Sequence, residues 1–529
     1  MDSALDGASA WHGATAAPVM LRAFLDASAA LAAILVVRYA VAYFGYFGVA
    51  AAAAEESAEP EASSKPPTEP SEVEASGGGF LAPSLAQATE RLRAHDVDPK
   101  RGFLPRRDPL RDLSKRYPQY QEWEWIGTSL PDLLSAGQVR ATVEHMQLVD
   151  WSALRQDDNA LRRAFLLLSA MCNAYMWCDP SKPADIIPKS LAVPLCAVAG
   201  AVGSAPALTH ASIVLYNWRR LDPKGPVSTN NITTLVDMLG GRDEKWFFLL
   251  TVEVEARGAA AILPCLLLQM AALGMHDRIK TRENTADEEQ AFKAWCRYAT
   301  EQLAHVRVGV DNMRKSFKKM TRQCDPYIFY HRVRPFLSGS KGNPSLPEGV
   351  VYTDSIAFGN ARQQFAGGSA AQSSILQVID ATLGIEHSQA FLEEMQQYMP
   401  RKHREYIHFV QAKAKAGGCV AQTLDAVAVR VKTKNEAVKD ALREATAMYD
   451  ACIEAITQFR NVHMEMVKVY IISEQRKVAV QEARARGERT LGDAAGGKGT
   501  GGTGIMSFLQ PVRNETRDMK RLGSSSVDE

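Results

Sequence analysis

The stretch FRNVHMEMVKVYI, residues 459–471, places a histidine among apolar residues whose spacing matches one face of a helix. Residues at alternating gaps of four and three continue this stripe in both directions: Val438, Leu442, Ala445, Tyr449, Cys452, Ile456, Phe459, His463, Met466 and Tyr470. We therefore expect His463 to point into a core, where an unpaired polar group costs on the order of 1 to 3 kcal/mol.

Two kinds of chemistry would suit the His463 imidazole. A hydrogen-bonded core histidine is the commoner solution for a lone histidine. A metal ligand is the alternative, because a haem iron takes one axial imidazole from the protein and needs an apolar wall beside the porphyrin. The residues around His463 do not decide between these two.

Composition excludes several classes of partner and site. The chain has 529 residues, of which 46% are hydrophobic, enough for two domains with a large core. A net charge of +1 gives no field that would attract nucleic acid, so we expect no nucleic-acid partner. The eight cysteines form no CxxC pair, which is typical of a reducing compartment and predicts neither a disulfide framework nor a zinc site. Any haem would be bound non-covalently, since CxxCH is also missing.

Residues 1–95 differ from the rest of the chain. Residues 27–54 are almost wholly apolar and approach the roughly 20 residues that span a bilayer, but Arg38 interrupts them. A membrane anchor within residues 20–54 and an alanine-rich appendage are both compatible with this pattern, whereas a cleaved signal peptide fits poorly. Residues 55–84 are rich in Pro, Glu, Ser and Gly, which predicts a disordered linker.

From about Asp96 onward the apolar pattern has helical period, and no run of strands alternates with helices, which predicts an all-α fold. The longest predicted helices span residues 133–146, 160–176, 246–275, 288–320, 373–383 and 438–470. Between them lie Gly- and Pro-bearing stretches that are too long for simple turns and are typical of functional loops: 178–194, 337–354 and 365–374.

The sequence GTGGTG at residues 499–504 matches the GxGxxG pattern of dinucleotide-binding sites. Such a site requires a preceding strand within a βαβ unit, whereas here a long helical pattern precedes the glycines and an amphipathic stretch follows them. We therefore predict no dinucleotide site. The glycine segment is either an inert linker or a mobile lid.

Several motifs together resemble the indoleamine 2,3-dioxygenase family. Five occur in that family's order and at similar intervals: DPYIFYHRVRPFLSGSKGNP (325–344), FAGGSAAQSS (365–374), YMPRKHR (398–404), FRNVH (459–463) and KGTGGT (498–503). Four upstream stretches are also similar to its small domain and distal helix: LPDLLSAGQVR (130–140), IPKSLAVPLC (187–196), YNW (216–218) and WFFLLT (246–251). The resemblance implies a smaller helical domain, which we place at 96–215, and a larger one with b-type haem at 216–529.

The resemblance also implies an activity. The family uses ferrous haem and dioxygen to open the indole ring of L-tryptophan, which gives N-formylkynurenine. We therefore expect an electron donor that keeps the haem ferrous, and a monomeric catalytic domain in the cytoplasm. The alternative is a myoglobin-like member of the same fold that binds oxygen without catalysis, and a helical scaffold without a cofactor is a third hypothesis.

On the proximal side of the haem, His463 matches the family's iron ligand. Arg460 lies one helical turn earlier, so its guanidinium can reach the haem edge and a propionate. Asp380 matches a carboxylate near that arginine. It either orients the proximal network or forms an ordinary buried ion pair.

On the distal side, Arg334 matches the arginine that holds the substrate carboxylate, for which a planar guanidinium suits better than lysine. Phe329 and Phe247 match aromatic residues that sandwich the indole. Gly368, Ser369 and Ala370 match the family's loop that runs past the haem edge. The backbone of that loop approaches the substrate ammonium group.

Lid and pocket positions complete the resemblance. Thr500 matches a lid residue whose closure would exclude water. Thr251 stands where several members have a serine beside dioxygen, and it keeps the hydroxyl. His210 stands where a tyrosine is usual in the distal pocket; it is either a spectator, which we favour, or a hydrogen-bonding residue that alters substrate affinity. Ser340 replaces a frequent tryptophan, which puts the packing of its loop in question.

Overall fold

Helices make up most of the computed structural model, which describes residues 80–281, 286–387, 390–431, 435–485 and 505–521. The all-α prediction is confirmed. The α-helices are α1 Leu85–Ala94, α2 Gln121–Thr128, α3 Leu130–Ser135, α4 Val139–His145, α5 Asp158–Trp177, α6 Lys189–Val202, α7 Arg242–Thr281, α8 Ala286–Phe317, α9 Pro326–Ile328, α10 Ser374–Leu383, α11 Ala390–Met395, α12 Arg401–Lys413, α13 Val420–Arg430, α14 Glu436–Val467, α15 Ser473–Ala485 and α16 Ile505–Arg517.

Shorter helical turns and a little β-structure connect these helices. The 3₁₀-helical turns are Pro118–Tyr120, Ser152–Leu154, Met320–Arg322, Arg334–Leu337, Ala370–Gln372 and Gln396–Tyr398. The π-helical turns are Ala211–Leu215, Phe329–Val333, Ala414–Gly418 and Lys468–Ile472. The strands are β1 Ile186–Ile187, β2 Arg219–Arg220, β3 Ile232–Thr233, β4 Val350–Tyr352 and β5 Arg362–Gln363. Strand β4 pairs in parallel with β1 and antiparallel with β5, and β2 pairs antiparallel with β3.

The folded part begins before Asp96, earlier than expected. Helix α1 is capped by Ser84, whose hydroxyl accepts a hydrogen bond from the backbone N–H of Gln87 at 3.4 Å, and it buries Ala88 and Leu92. The apolar segment and most of the predicted linker lie outside the described residues, so the membrane anchor stays a prediction. The domain boundaries also stay predictions.

The segment 133–146, predicted as a single helix, forms the two helices α3 and α4 instead. Gly137 lies between them with φ of +65°, a left-handed conformation that glycine adopts without steric cost. The next backbone N–H, of Gln138, donates to the carbonyl of Leu133 at 2.8 Å and closes the first helix. The apolar spacing continues across this turn, so the pattern alone does not reveal the break.

Helix α7 is the central helix of the core. It has Asp243 and Glu244 in its first turn and Arg278 and Lys280 in its last turn, an arrangement that stabilises both ends of the helix dipole. The helix is long and apolar enough to cross a membrane, but 67% of its most apolar window is buried inside the protein. This burial is typical of the core helix of a folded domain. Helices α8 and α10 pack on α7, and α14 packs on α8.

Two large apolar clusters meet along α7. The first joins α2, α5 and α6 to the part of α7 up to Val252, and the second joins α8, α10, α12 and α14 to the part from Val254 onward. Phe329 of the first cluster and Phe459 of the second line the same cavity. The cavity therefore lies where the two clusters meet.

Two of the predicted functional loops, 337–354 and 365–374, pass each other at glycines. A Cβ added to Gly339 would overlap the carbonyl oxygen of Phe365, and one added to Gly367 would overlap that of Leu337. This close approach fixes the second loop against the segment that carries Arg334.

The loop around Ser340 is well packed in spite of the small side chain. Ser340 is buried, and its hydroxyl accepts a hydrogen bond from the backbone N–H of Phe365 at 3.1 Å. A hydrogen bond to the neighbouring loop thus holds this position.

Replacing Gly367 with alanine should lower the free energy of unfolding by about 1–3 kcal/mol, because the new methyl group overlaps backbone atoms that cannot move aside easily. The measurement is urea unfolding followed by circular dichroism. The matched control is Gly274→Ala in α7, where a Cβ would meet open space and where alanine is the better helix former. Equal unfolding midpoints for the two variants would contradict the proposed close contact.

Candidate functional site

A single cavity brings the predicted site residues together. Its volume is about 310 Å³, and most of its lining is apolar. The predicted residues that line it are Phe247, Thr251, Phe329, Arg334, Gly368, Ser369, Ala370, Asp380, Arg460 and His463. Thr500, the remaining predicted residue, lies outside the described residues.

Helix α14 carries the apolar stripe from the core into the cavity. Stripe residues from Val438 to Ile456 pack mainly in the second apolar cluster. From Phe459 onward the same face borders the cavity, where His463 and Met466 line the wall and Tyr470 follows in a π-helical turn. The expectation that His463 points into a core needs one correction: its neighbours on the stripe, Phe459 and Tyr470, belong to the two apolar clusters, whereas His463 itself faces the cavity.

The His463 imidazole is available to a ligand. Its ring centre lies 5.8 Å from that of Phe317, and no group within the described ranges hydrogen-bonds to either ring nitrogen. Burial, followed by the charge of Arg460, lowers the pKa of His463 to about 4. The imidazole is thus neutral at pH 7, and it is not the hydrogen-bonded core histidine of the commoner hypothesis.

Arg460 belongs to a network that joins α14, α10 and α16. Its Nη2 donates to Asp380 Oδ2 at 2.6 Å, and its Nη1 donates to the hydroxyl of Thr516. The same Asp380 oxygen lies 3.1 Å from His387 Nε2, and His387 Nδ1 lies 2.8 Å from Glu515 Oε2. The expected pairing of Arg460 with Asp380 is present, as part of a larger network.

The charges of this network shift one another's pKa. Burial alone would raise the pKa of Asp380, but Arg460 and His387 together hold it below its usual value. Burial alone would lower the pKa of His387, whereas Asp380 and Glu515 raise it above its usual value of 6.5. Asp380 is therefore ionised at neutral pH, and protonated His387 is stabilised between two carboxylates.

Arg334, Phe329 and Phe247 form one end of the cavity. The ring centres of Phe247 and Phe329 lie 4.6 Å apart, and the guanidinium of Arg334 lies 5.3 Å from the ring centre of Tyr330. Burial lowers the pKa of Arg334, which nevertheless stays charged at neutral pH. Arg332, two residues earlier, is exposed. A partly buried cation and two aromatic rings in the same cavity suit a ligand with a carboxylate and an aromatic group.

A change of helix type explains how Phe329 and Arg334 reach the same cavity. Residues five apart on an α-helix point about 140° away from each other. Here the segment changes from α9 to the π-helical turn Phe329–Val333, in which the hydrogen bonds join residues five apart. The wider turn brings both side chains to one side.

Successive turns of α7 supply three residues to the wall: Phe247, Thr251 and Glu255. The Thr251 hydroxyl donates to the carbonyl of Phe247 at 2.8 Å, so its hydrogen is engaged within the helix. Glu255 was not identified from the sequence. Its spacing of four residues from Thr251 is the signal that could have identified it.

His210 takes part in the hydrogen bonding of the cavity wall, contrary to the favoured hypothesis of a spectator. It is 4% exposed, and its Nε2 lies 2.8 Å from Glu255 Oε1. Its backbone N–H donates to Gln372 Oε1 at 2.9 Å. An effect of His210 on substrate affinity stays a prediction.

Helix α16 closes one side of the cavity. Its Phe508, Leu509 and Val512 line the wall, and Phe508 packs against Phe391 of α11 with ring centres 4.8 Å apart. The sequence showed an amphipathic stretch here but gave no indication of what its apolar face contacts.

Comparison with known proteins agrees with these observations. The family model described as indoleamine 2,3-dioxygenase matches residues 91–519. Indoleamine 2,3-dioxygenase 2 of Mus musculus is 32% identical over 81% of this chain and 95% of its own length. Indoleamine 2,3-dioxygenase of Saccharomyces cerevisiae is 31% identical over 80% of this chain and 92% of its own. The 6-hydroxytryptophan 2,3-dioxygenase of Fusarium equiseti is 31% identical over 78% of this chain and 94% of its own.

Replacing His387 with glutamine should destabilise the protein more in acid than in base. Because the pKa of His387 is raised in the folded state, its contribution is complete below about pH 6.5 and is lost as the pH rises through the folded-state pKa. We expect a deficit of roughly 1–2 kcal/mol in the free energy of unfolding near pH 5.5 and a smaller one near pH 8.5. The measurement is urea unfolding at both pH values, each compared with the wild type.

The control for this measurement is Glu515→Gln, which should follow the same trend because it removes one of the two carboxylates that raise the pKa of His387. A deficit that grows with rising pH would contradict the assignment.

Proposed function

The chain belongs to the indoleamine 2,3-dioxygenase family, and from this premise we propose that it is a haem-dependent dioxygenase that opens the indole ring of L-tryptophan to N-formylkynurenine. The observation that supports the proposal most is the His463 imidazole, which is neutral, faces the cavity and accepts no hydrogen bond within the described residues. The iron of a haem would bind such a nitrogen.

The surroundings of His463 fit b-type haem. In the part of the chain that is described, no group of three or more His, Cys, Asp or Glu side chains could hold a metal ion. A single imidazole therefore suits an iron whose equatorial ligands come from a porphyrin. The wall beside it is apolar, with Phe317, Phe459 and Val467. Arg460 would donate to a propionate at the haem edge, while Asp380 holds the guanidinium in place.

The other end of the cavity fits an aromatic amino acid. Arg334 would hold the carboxylate. The rings of Phe247 and Phe329 contact each other, with centres 4.6 Å apart, so they would form one aromatic wall against the indole and not the sandwich that the resemblance implied. The small residues Gly368 and Ser369 let the backbone of their loop approach the ammonium group. These contacts fix the orientation of the indole C2=C3 bond.

Haem and the residues of the protein would make different contributions to the proposed reaction. When bound, haem supplies the iron centre at which dioxygen is activated, and one oxygen atom goes to each of the two indole carbons. The protein needs no general base for this step; its residues bind and orient the substrate and exclude water from an apolar cavity. An external electron donor would keep the iron ferrous. We further propose that the catalytic part acts as a monomer in the cytoplasm.

Replacing His463 with alanine should abolish stoichiometric haem binding, because it removes the only imidazole proposed as a protein ligand to the iron. The measurement is the Soret absorbance of purified protein after addition of haem, with folding checked by circular dichroism. The matched control is His408→Gln, an exposed histidine that bonds to Gln396 outside the cavity. An unchanged Soret band in the alanine variant would contradict the assignment of His463.

Replacing Arg334 with alanine should lower kcat/KM for L-tryptophan by about 100-fold, because a charge-assisted pair with the substrate carboxylate is lost. The measurement is formation of N-formylkynurenine by ferrous, haem-loaded protein in air. Arg332→Ala is the control, since that side chain is exposed two residues away. Wild-type protein that binds oxygen reversibly and forms no product would instead support the myoglobin-like alternative.

A further inference from the structure

His210 and Glu255 form a pair of ionisable side chains in the cavity wall, and neither has a role in the proposed reaction. Both residues line the cavity, and their side chains are about 5% and 4% exposed. Four other ionisable groups of the wall have a place in the proposed function: Arg334, Asp380, Arg460 and His463. A fifth, the hydroxyl of Tyr470, donates to the carbonyl of Cys324 at 2.7 Å. A buried carboxylate beside an imidazole is costly in an apolar wall, so this pair calls for an explanation.

The hydrogen bonds of the pair are incomplete. Glu255 Oε1 accepts from Ser373 Oγ at 2.6 Å and lies 2.8 Å from His210 Nε2. Glu255 Oε2 is buried without a hydrogen-bond partner. When Nε2 donates to Glu255 Oε1, the hydrogen bond fixes the orientation and the tautomer of the ring. Across the described ranges, Nδ1 of His210 has no hydrogen-bond partner of its own.

The pair lies away from the end of the cavity that suits an amino acid group. Phe247 and Glu255 are eight residues apart on α7, which corresponds to about 12 Å along the helix axis. The carboxylate is proposed to bind at Arg334, which directly follows the π-helical turn that begins at Phe329, and the Phe329 ring centre lies 4.6 Å from that of Phe247. The part of tryptophan farthest from its carboxylate is the benzene ring of the indole, which would point toward His210 and Glu255.

We propose that His210, held in place by Glu255, determines substrate specificity and favours tryptophans that carry a hydroxyl group on the benzene ring. A hydroxyl both donates and accepts, so it pairs with Nδ1 whether His210 is neutral or protonated. An unsubstituted ring would cover the imidazole and leave its nitrogen without a hydrogen-bond partner. A polar site discriminates most strongly against ligands that leave one of its buried polar atoms unpaired. This inference rests on the proposed function.

The experiment compares L-tryptophan with 5-hydroxy- and 6-hydroxy-L-tryptophan in wild-type holoenzyme. At least one hydroxylated substrate should have a kcat/KM about tenfold or more above that of L-tryptophan. In His210→Phe this ratio should fall to about one, mainly through loss of the hydroxylated substrate, because the ring shape is kept and the nitrogen is removed. His210→Asn, which keeps a polar atom, should retain part of the preference.

Two controls separate specificity from folding. His408→Gln, outside the cavity, should leave the ratio unchanged. Glu255→Gln should reduce the ratio, because the amide no longer fixes the tautomer of His210. Dissociation constants from the Soret shift of the ferric protein, measured without turnover, should follow the same order for the three ligands.

The outcomes distinguish this inference from the proposed function. Turnover of L-tryptophan with equal or better kcat/KM than both hydroxylated substrates, or a ratio that His210→Phe leaves unchanged, would overturn the inference and leave the dioxygenase standing. Absence of product from all three substrates would overturn the proposed function. In that case the binding constants of the ferric protein still decide the inference, since equal affinity for all three ligands would overturn it.

Discussion

The placement of α14 against α8 is the constraint on which the site depends. Its apolar stripe is buried from Val438 to Ile456, so the helix cannot rotate or slide without exposing large side chains. This rigidity fixes the direction of Phe459, a member of the second apolar cluster, and of His463 one turn later on the same face, and both line the cavity. A long packed helix thus presents one imidazole to a cavity with little freedom of orientation, as a metal ligand requires.

Irregular helical turns supply residues of the cavity wall in addition to those from the regular helices. The π-helical turns Ala211–Leu215, Phe329–Val333 and Lys468–Ile472 each contribute residues to the cavity wall. Such turns have poorer hydrogen-bond geometry than an α-helix and occur often at functional sites. A wider turn changes the direction of the side chains that follow it. A short segment can therefore place side chains in the cavity that a regular helix, which faces the cavity only once per turn, would point elsewhere.

Sequence reasoning recovered what depends on local pattern. Helical period predicted the main helices, and a set of short motifs predicted ten residues that line one cavity. It missed what depends on tertiary proximity: His210 and Glu255 are 45 positions apart in the chain and meet only in the folded protein. It also misjudged Gly137, because an apolar pattern that continues across a turn carries no sign of the turn. His387 and Glu515, which are in contact in the folded protein, are 128 positions apart in the chain, so no local sequence pattern predicts their contact.

The polar groups of the cavity fall into two sets according to what satisfies them. In the first set, Asp380 Oδ2 and Arg460 are paired through the protein, with His387 adding a further contact, and Asp380 Oδ1 lacks a hydrogen-bond partner among the described residues. His463 and the His210–Glu255 pair retain nitrogen or oxygen atoms that no described protein group contacts. Buried polar atoms are rarely left unpaired, since each costs on the order of 1 to 3 kcal/mol. On the proposals made above, an iron would supply the missing partner of His463, and a polar substituent of the substrate would supply that of the His210–Glu255 pair.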